Sequence, residues 1–109
     1  MTDNTPDHET NPFDHATIDD VIHGRIRLGI MAYLTTASPA LFGEVRDKVN
    51  ATDGNLSTHL KKLEEVGYVG IEKRFAGKRP QTWIELTPIG RKAWKIYLDQ
   101  LRSLLNAAE

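Results

Sequence analysis

The stretch ATDGNLSTHLKKLEEVGYV, residues 51–69, decides the fold. Leu56, Leu60 and Leu63 recur at the spacing of one helix face, with Val66 at its edge. At 100° per residue the opposite face carries Gly54, Thr58, Lys61 and Glu65, flanked by Asn55 and Lys62. Thr52 is placed to cap the N-terminus, and Gly67 stands where a helix ends in a left-handed residue. Periodicity alone describes an ordinary amphipathic surface helix. The outward face, however, is short, polar and basic, and Thr, Asn and Lys side chains reach base edges and phosphates.

The residues after this helix give that face its meaning. Val69 and Ile71 alternate with Gly70 and Glu72, and Ile84 and Leu86 with Trp83 and Glu85, the period of half-buried strands. Between them, residues 73–81 read as a hairpin tip with four cations, Lys73, Arg74, Lys78 and Arg79, and with Gly77 and Pro80 as turn residues. Four like charges on one tip repel each other unless an anionic partner compensates them.

Upstream, residues 18–35 carry the apolar stripe Val21, Ile22, Ile26, Ile30, Met31 and Leu34 of a first helix. Gly24 marks a break after a short lead-in, and Gly29 a place for another helix to pack closely. His23 reads as a packing residue. Ser38-Pro39 reads as cap and first residue of a second helix running to about Asn50, with Leu41, Phe42, Val45 and Val49 inward. A helix, a short turn and a helix with a polar outer face is helix-turn-helix layout. Thr87-Pro88 repeats the cap-and-proline start for a last helix reaching about Ala107. Its apolar residues are too many for one narrow stripe. Part should cover the domain, and part should meet a second copy, with Trp94, Tyr97, Leu98, Leu101, Leu104 and Leu105 as the interface candidates.

A chain of 109 residues supports one domain and one modest core. The net charge of -1 conceals a segregation. Six of the 15 acids lie in residues 1–20, which hold no Lys or Arg, leaving nine acids against all 14 bases in the remainder. A mildly basic body behind an acidic tail suits a polyanion-binding domain. Residues 1–17 are read as a disordered acidic tail, too poor in apolar residues to offset its ordering entropy, and residues 18–109 as the domain. His8 and His15 sit among carboxylates there, but nothing fixes ligand geometry, so no metal is expected. With no cysteine, disulfides and thiolate sites are excluded, which is compatible with a reducing cytoplasm. No run is long and apolar enough to span a bilayer, and the acidic N-terminus is not a signal peptide.

The order helix, helix, central helix, basic-tipped hairpin and long last helix is mainly α with a small β-hairpin wing. Asn55 to Val69, with the wing and Leu86-Thr87-Pro88-Ile89-Gly90-Arg91, resembles the small winged helix-turn-helix transcriptional regulators of the MarR and ArsR type. The resemblance covers residues 18–105. It implies a recognition helix, residues 52–66, in the major groove, and a wing, residues 73–81, on the backbone or minor groove. It also implies a homodimer joined through the first and last helices. The departures are informative. Metal sensors of the ArsR type use Cys, or His and Asp on the last helix; here Cys is absent and Asp99 has no His near it. MarR proteins with an effector pocket are longer, so no effector and no cofactor is inferred.

The expected function is therefore a dimeric, sequence-specific DNA-binding regulator in the cytoplasm. Lys73, Arg74, Lys78 and Arg79 would contact phosphates, and Asn55, Ser57, Thr58, Lys61 and Lys62 would read or flank bases. The alternative is a winged-helix module that binds protein without sequence-specific DNA binding, against which the basic wing argues. An enzyme is not expected, since there is no Gly-rich phosphate loop, no metal-ligand spacing and no nucleophile with an evident base. Asp19-Asp20 and Glu64-Glu65 are adjacent on their elements and do not converge, which reads as solvated charge.

Overall fold

A computed structural model describes residues 11–109. It has four helices and a three-stranded antiparallel sheet: α1 (Arg25–Ala37), β1 (Ala40–Leu41), α2 (Phe42–Val49), α3 (Asp53–Glu65), β2 (Val69–Ala76), β3 (Arg79–Leu86) and α4 (Pro88–Ala108). The winged helix-turn-helix expectation holds. The core is built where the leucine periodicity placed it. Leu56, Leu60 and Leu63 of α3 are buried with Ile30, Met31 and Leu34 of α1, Val45 of α2, and Val69, Ile84 and Leu86 of the sheet.

The ends of α3 follow local chemistry. The Thr52 side chain accepts the backbone N–H of Asn55 at 3.1 Å. At the other end Gly67 has φ +83°, and the N–H groups of Gly67 and Tyr68 return to the carbonyls of Glu64 and Leu63, both at 2.9 Å. That paired closure satisfies two orphan carbonyls and turns the chain directly into β2. Likewise Thr87 caps α4 through the N–H of Gly90 at 2.9 Å, with Pro88 in the first turn.

Three readings are corrected. The first helix begins at Arg25, with Gly24 as its N-cap, and not at Ile18. The lead-in is instead folded around Asp19, whose Oδ1 accepts the N–H groups of Val21 and Ile22 while Oδ2 accepts the Tyr68 hydroxyl at 2.6 Å. Asp19 is thus a structural anchor and not solvated charge. Together with burial, its hydrogen bond pushes the Tyr68 phenol up to about 12. Second, Ser38-Pro39 does not start a helix. Ala40 and Leu41 pair with Ile84 and Trp83 as a third strand, α2 starts at Phe42, and Ser38 Oγ accepts the Leu86 N–H at 2.8 Å. Third, Pro80 lies inside β3 rather than in the turn.

Of the tail read as disordered, residues 1–10 lie outside the described residues. Residues 11–17 carry a single 3-10 turn at His15–Thr17, capped by Asp14. Gly29 does permit close packing, since a Cβ there would stand 3.2 Å from Val49 Cγ1.

Candidate nucleic-acid interface

The turn between α2 and α3 is held from both sides. Asn50 adopts the left-handed conformation, φ 56°, that lets α2 end and the chain reverse. Arg46 then reaches forward, Nε to Asp47 at 3.0 Å and Nη1 to Asp53 at 2.9 Å. On the far side Arg27 of α1 places Nη1 3.1 Å from His59 Nδ1. Burial, helped by the Arg27 charge, holds the His59 ring below its ordinary value. A neutral His59 accepts from the guanidinium through Nδ1, so this face of α3 is fixed against α1 while the opposite face stays free.

That free face carries the expected residues. Asn55, Ser57, Thr58, Lys61 and Lys62 line the outward side of α3, and all five are exposed. They do not form one patch. Ser57 and Lys61 line a groove between α3 and the wing, together with Lys73 and Thr82 of the sheet. Asn55 lies on the other flank, where it lines a depression at the start of α3 with Thr52 and Arg25. Arg25 was not singled out from sequence as a site residue, because its proximity to Asn55 depends on how α1 packs over the turn. Thr58 has its hydroxyl directed at the Gly54 carbonyl, 3.0 Å away. The proton is engaged there, and what Thr58 offers outward is its methyl group and oxygen lone pairs.

The wing is an eight-residue pair of strands in continuous register from Val69↔Leu86 to Ala76↔Arg79. Its turn is only Gly77-Lys78, with Gly77 at φ 65° and no positive φ at Lys78, the pattern of a type II′ hairpin. Pro80 is tolerated within β3 because it faces Phe75 in the pair next to the turn. In that pair the N–H positions point away from the partner strand. On the outer side β1 reaches only Ile84 and Trp83, so no strand asks Pro80 for a donor.

The four wing cations are not equivalent. Arg74 donates to Glu72 at 2.9 Å and lies over the Trp83 ring, 5.1 Å from its centroid. It is anchored on the outer wing face with its charge locally balanced. Lys73, Lys78 and Arg79 are exposed and carry no such ion pair among the described residues.

On α4, Tyr97 leaves the group of expected interface residues. It is buried in its own domain at 1% exposure, stacked on Trp94 with ring centroids 5.7 Å apart and bonded through its hydroxyl to His23 Nδ1 at 2.9 Å. Trp94, Leu98 and Leu101 are half-buried against the same core. Leu104 is half-buried, and Leu105 is 56% exposed near the end of the helix. Among the described residues no helix is long and apolar enough to cross a membrane.

A family model described as "Winged helix DNA-binding domain" matches residues 26–105. The uncharacterized protein MJ0432 of Methanocaldococcus jannaschii is 38% identical over 89 residues, 82% of this chain and 97% of the relative. The transcriptional regulator homologue from Pyrococcus horikoshii OT3 superposes with TM-score 0.78 at 30% identity, covering 84% of this chain and 90% of that one. At 24% identity and TM-score 0.64 the fold alone is shared with two further structures. One is described as a MarR-family transcriptional regulator from Enterococcus faecalis V583, covering 99% of this chain and 88% of that one. The other is reduced AbfR bound to DNA, covering 70% and 54%. The matched span takes in both wing strands, the second and third helices and nearly all of the first and last, and on it the chain belongs to the winged helix DNA-binding domain family.

Proposed function

We propose that this chain is a sequence-specific DNA-binding transcriptional regulator that acts as a homodimer in the cytoplasm. The observation that carries this reading is the groove in which Ser57 and Lys61 of α3 meet Lys73 of the wing. A recognition helix and a basic hairpin that share one concave surface can engage the major groove and the adjacent backbone of one duplex together. Lys73, Lys78 and Arg79, which form no ion pair among the described residues, supply charge for phosphates, and Arg25 extends that charge to the other end of α3. Asn55, Ser57, Thr58, Lys61 and Lys62 face the bases or their borders. The Thr58 methyl and lone pairs suit a thymine methyl or a base amino group. Arg74, its charge balanced by Glu72, keeps the wing shaped. Dimerisation falls to the end of α4, where Leu105 and the free side of Leu104 extend beyond the core.

The test is selection of bound duplexes from a random pool at low and high salt. A recurring motif with two-fold symmetry is the expected result. Recovery of random sequence, with affinity that collapses in salt, would show a non-specific binder. No recovery at either salt would favour a module that binds protein.

A further inference from the structure

The wing ends in an apolar pair that the fold does not use. Phe75 is 72% exposed, more than any other large apolar side chain among the described residues. Its cross-strand partner is Pro80, also exposed. The Ala76↔Arg79 pair closes the turn, so Phe75 and Pro80 form the next, non-hydrogen-bonded pair, in which opposed side chains approach most closely. Strand alternation places Phe75 on the same sheet face as Val69, Ile71 and Lys73, and Pro80 on the face of Leu86, Ile84 and Thr82. The inner rungs of that face are core, and the Lys73 and Thr82 rung lines the groove against α3. Phe75 and Pro80 are the following rung, both exposed on the side turned toward the recognition helix, with Pro80 bordering a depression it shares with Phe42, Gly43 and Glu44 at the start of α2.

We propose that Phe75 and Pro80 form a wedge that enters the minor groove of the bound duplex and opens a base step there. This rests on the DNA-binding reading above. The charge around the pair selects the occupant. Lys73 stands on the neighbouring rung of the same face and Lys78 and Arg79 follow the pair at the turn, so an apolar protein pocket would have to desolvate nearby cations, whereas a minor groove offers phosphates on both rims and sugars and base edges between them. Phe and Pro are side chains that unstack base steps when inserted. The paired strands alone stand about 4.8 Å apart and an unbent minor groove is about 6 Å wide, so seating both rings widens the groove and bends the duplex.

The test uses the full chain and the duplex recovered by the selection, with 2-aminopurine placed in turn at each flanking position and a fluorophore pair at the ends. Wild type should brighten 2-aminopurine at one flanking step and shorten the end-to-end distance. Phe75→Ala, which should melt with wild type because the side chain is exposed, should abolish both signals and weaken binding about tenfold. Its salt slope should stay unchanged. Phe75→Leu should restore part of the signal, and Lys78→Gln should lower the salt slope while keeping it. If Phe75→Ala still brightens and bends the duplex, the wedge is wrong and the DNA reading stands. If wild type binds no duplex, both fall.

Discussion

A Cβ on residue 90 would stand 2.1 Å from the Tyr68 carbonyl oxygen, so Gly90 and Tyr68 join the first turn of α4 to the root of the wing at a distance only glycine allows. The same carbonyl accepts the Thr87 N–H at 3.1 Å. The obstacle is backbone, which cannot swing away as a side chain would. Gly90→Ala should therefore lower stability by about 3 kcal/mol, the upper end of overpacking costs. Gly54→Ala is the contrast. It meets open space on α3 and should raise stability by about 0.4–1 kcal/mol. Urea denaturation of both variants checks the pair.

The two kinds of DNA contact separate by salt and by sequence. Replacing Lys78 or Arg79 by Gln should weaken binding to specific and random duplexes alike and make log K against log [salt] shallower by about 0.9 for each phosphate no longer engaged. Thr58→Ala or Lys61→Ala should cost about 1–3 kcal/mol on the selected site and far less on random DNA. Leu60→Ala, buried at 1% exposure, should instead lower folding stability by about 2–5 kcal/mol. Identical behaviour of wing and helix variants on both duplexes would contradict sequence-specific recognition.

Assembly is tested best at Leu105, because it is exposed while Leu101 also packs on the domain core. Leu105→Asp and Leu104→Asp should sediment as monomers with unchanged helical circular dichroism, since a charge in an apolar contact is expensive unless paired. A wild type that is already monomeric at about ten micromolar would contradict a functional homodimer.

Acid should weaken the anchoring of the recognition helix. His59 is held below its ordinary 6.5 by burial and by Arg27. The unfolded chain takes up this proton near pH 6.5 and the folded chain only at lower pH. Stability from the neutral ring is therefore complete above about pH 6.5 and drains as pH falls toward the depressed folded value. His59→Gln can still accept from Arg27 without titrating. Its thermal midpoint should fall less than that of wild type between about pH 7.5 and about pH 5.

Much of the architecture was legible because its determinants are local. The caps at Thr52 and Thr87 act within three residues, on Asn55 and Gly90. Gly67 supplies a left-handed residue where any helix of that length would need one. Leucines three and four apart declare their buried face wherever the helix docks, and Val69, Ile71, Ile84 and Leu86 declare theirs by alternation.

What the sequence by itself determined is thus the type of each main element, its buried face, and the basic character of the wing. The tertiary structure alone decided the rest, because those features depend on groups distant in the chain. Ser38 became a sheet-edge acceptor because Leu86 presents an N–H to it. Asp19 became an anchor because the Tyr68 hydroxyl lies 2.6 Å from it. Tyr97 was drawn inward by Trp94 and His23, and Arg74 was balanced by Glu72. Pro80 fitted within a strand because β1 is only two residues long. Phe75 was left uncovered because the strand alternation that buries Val69 and Ile84 continues past the end of the core.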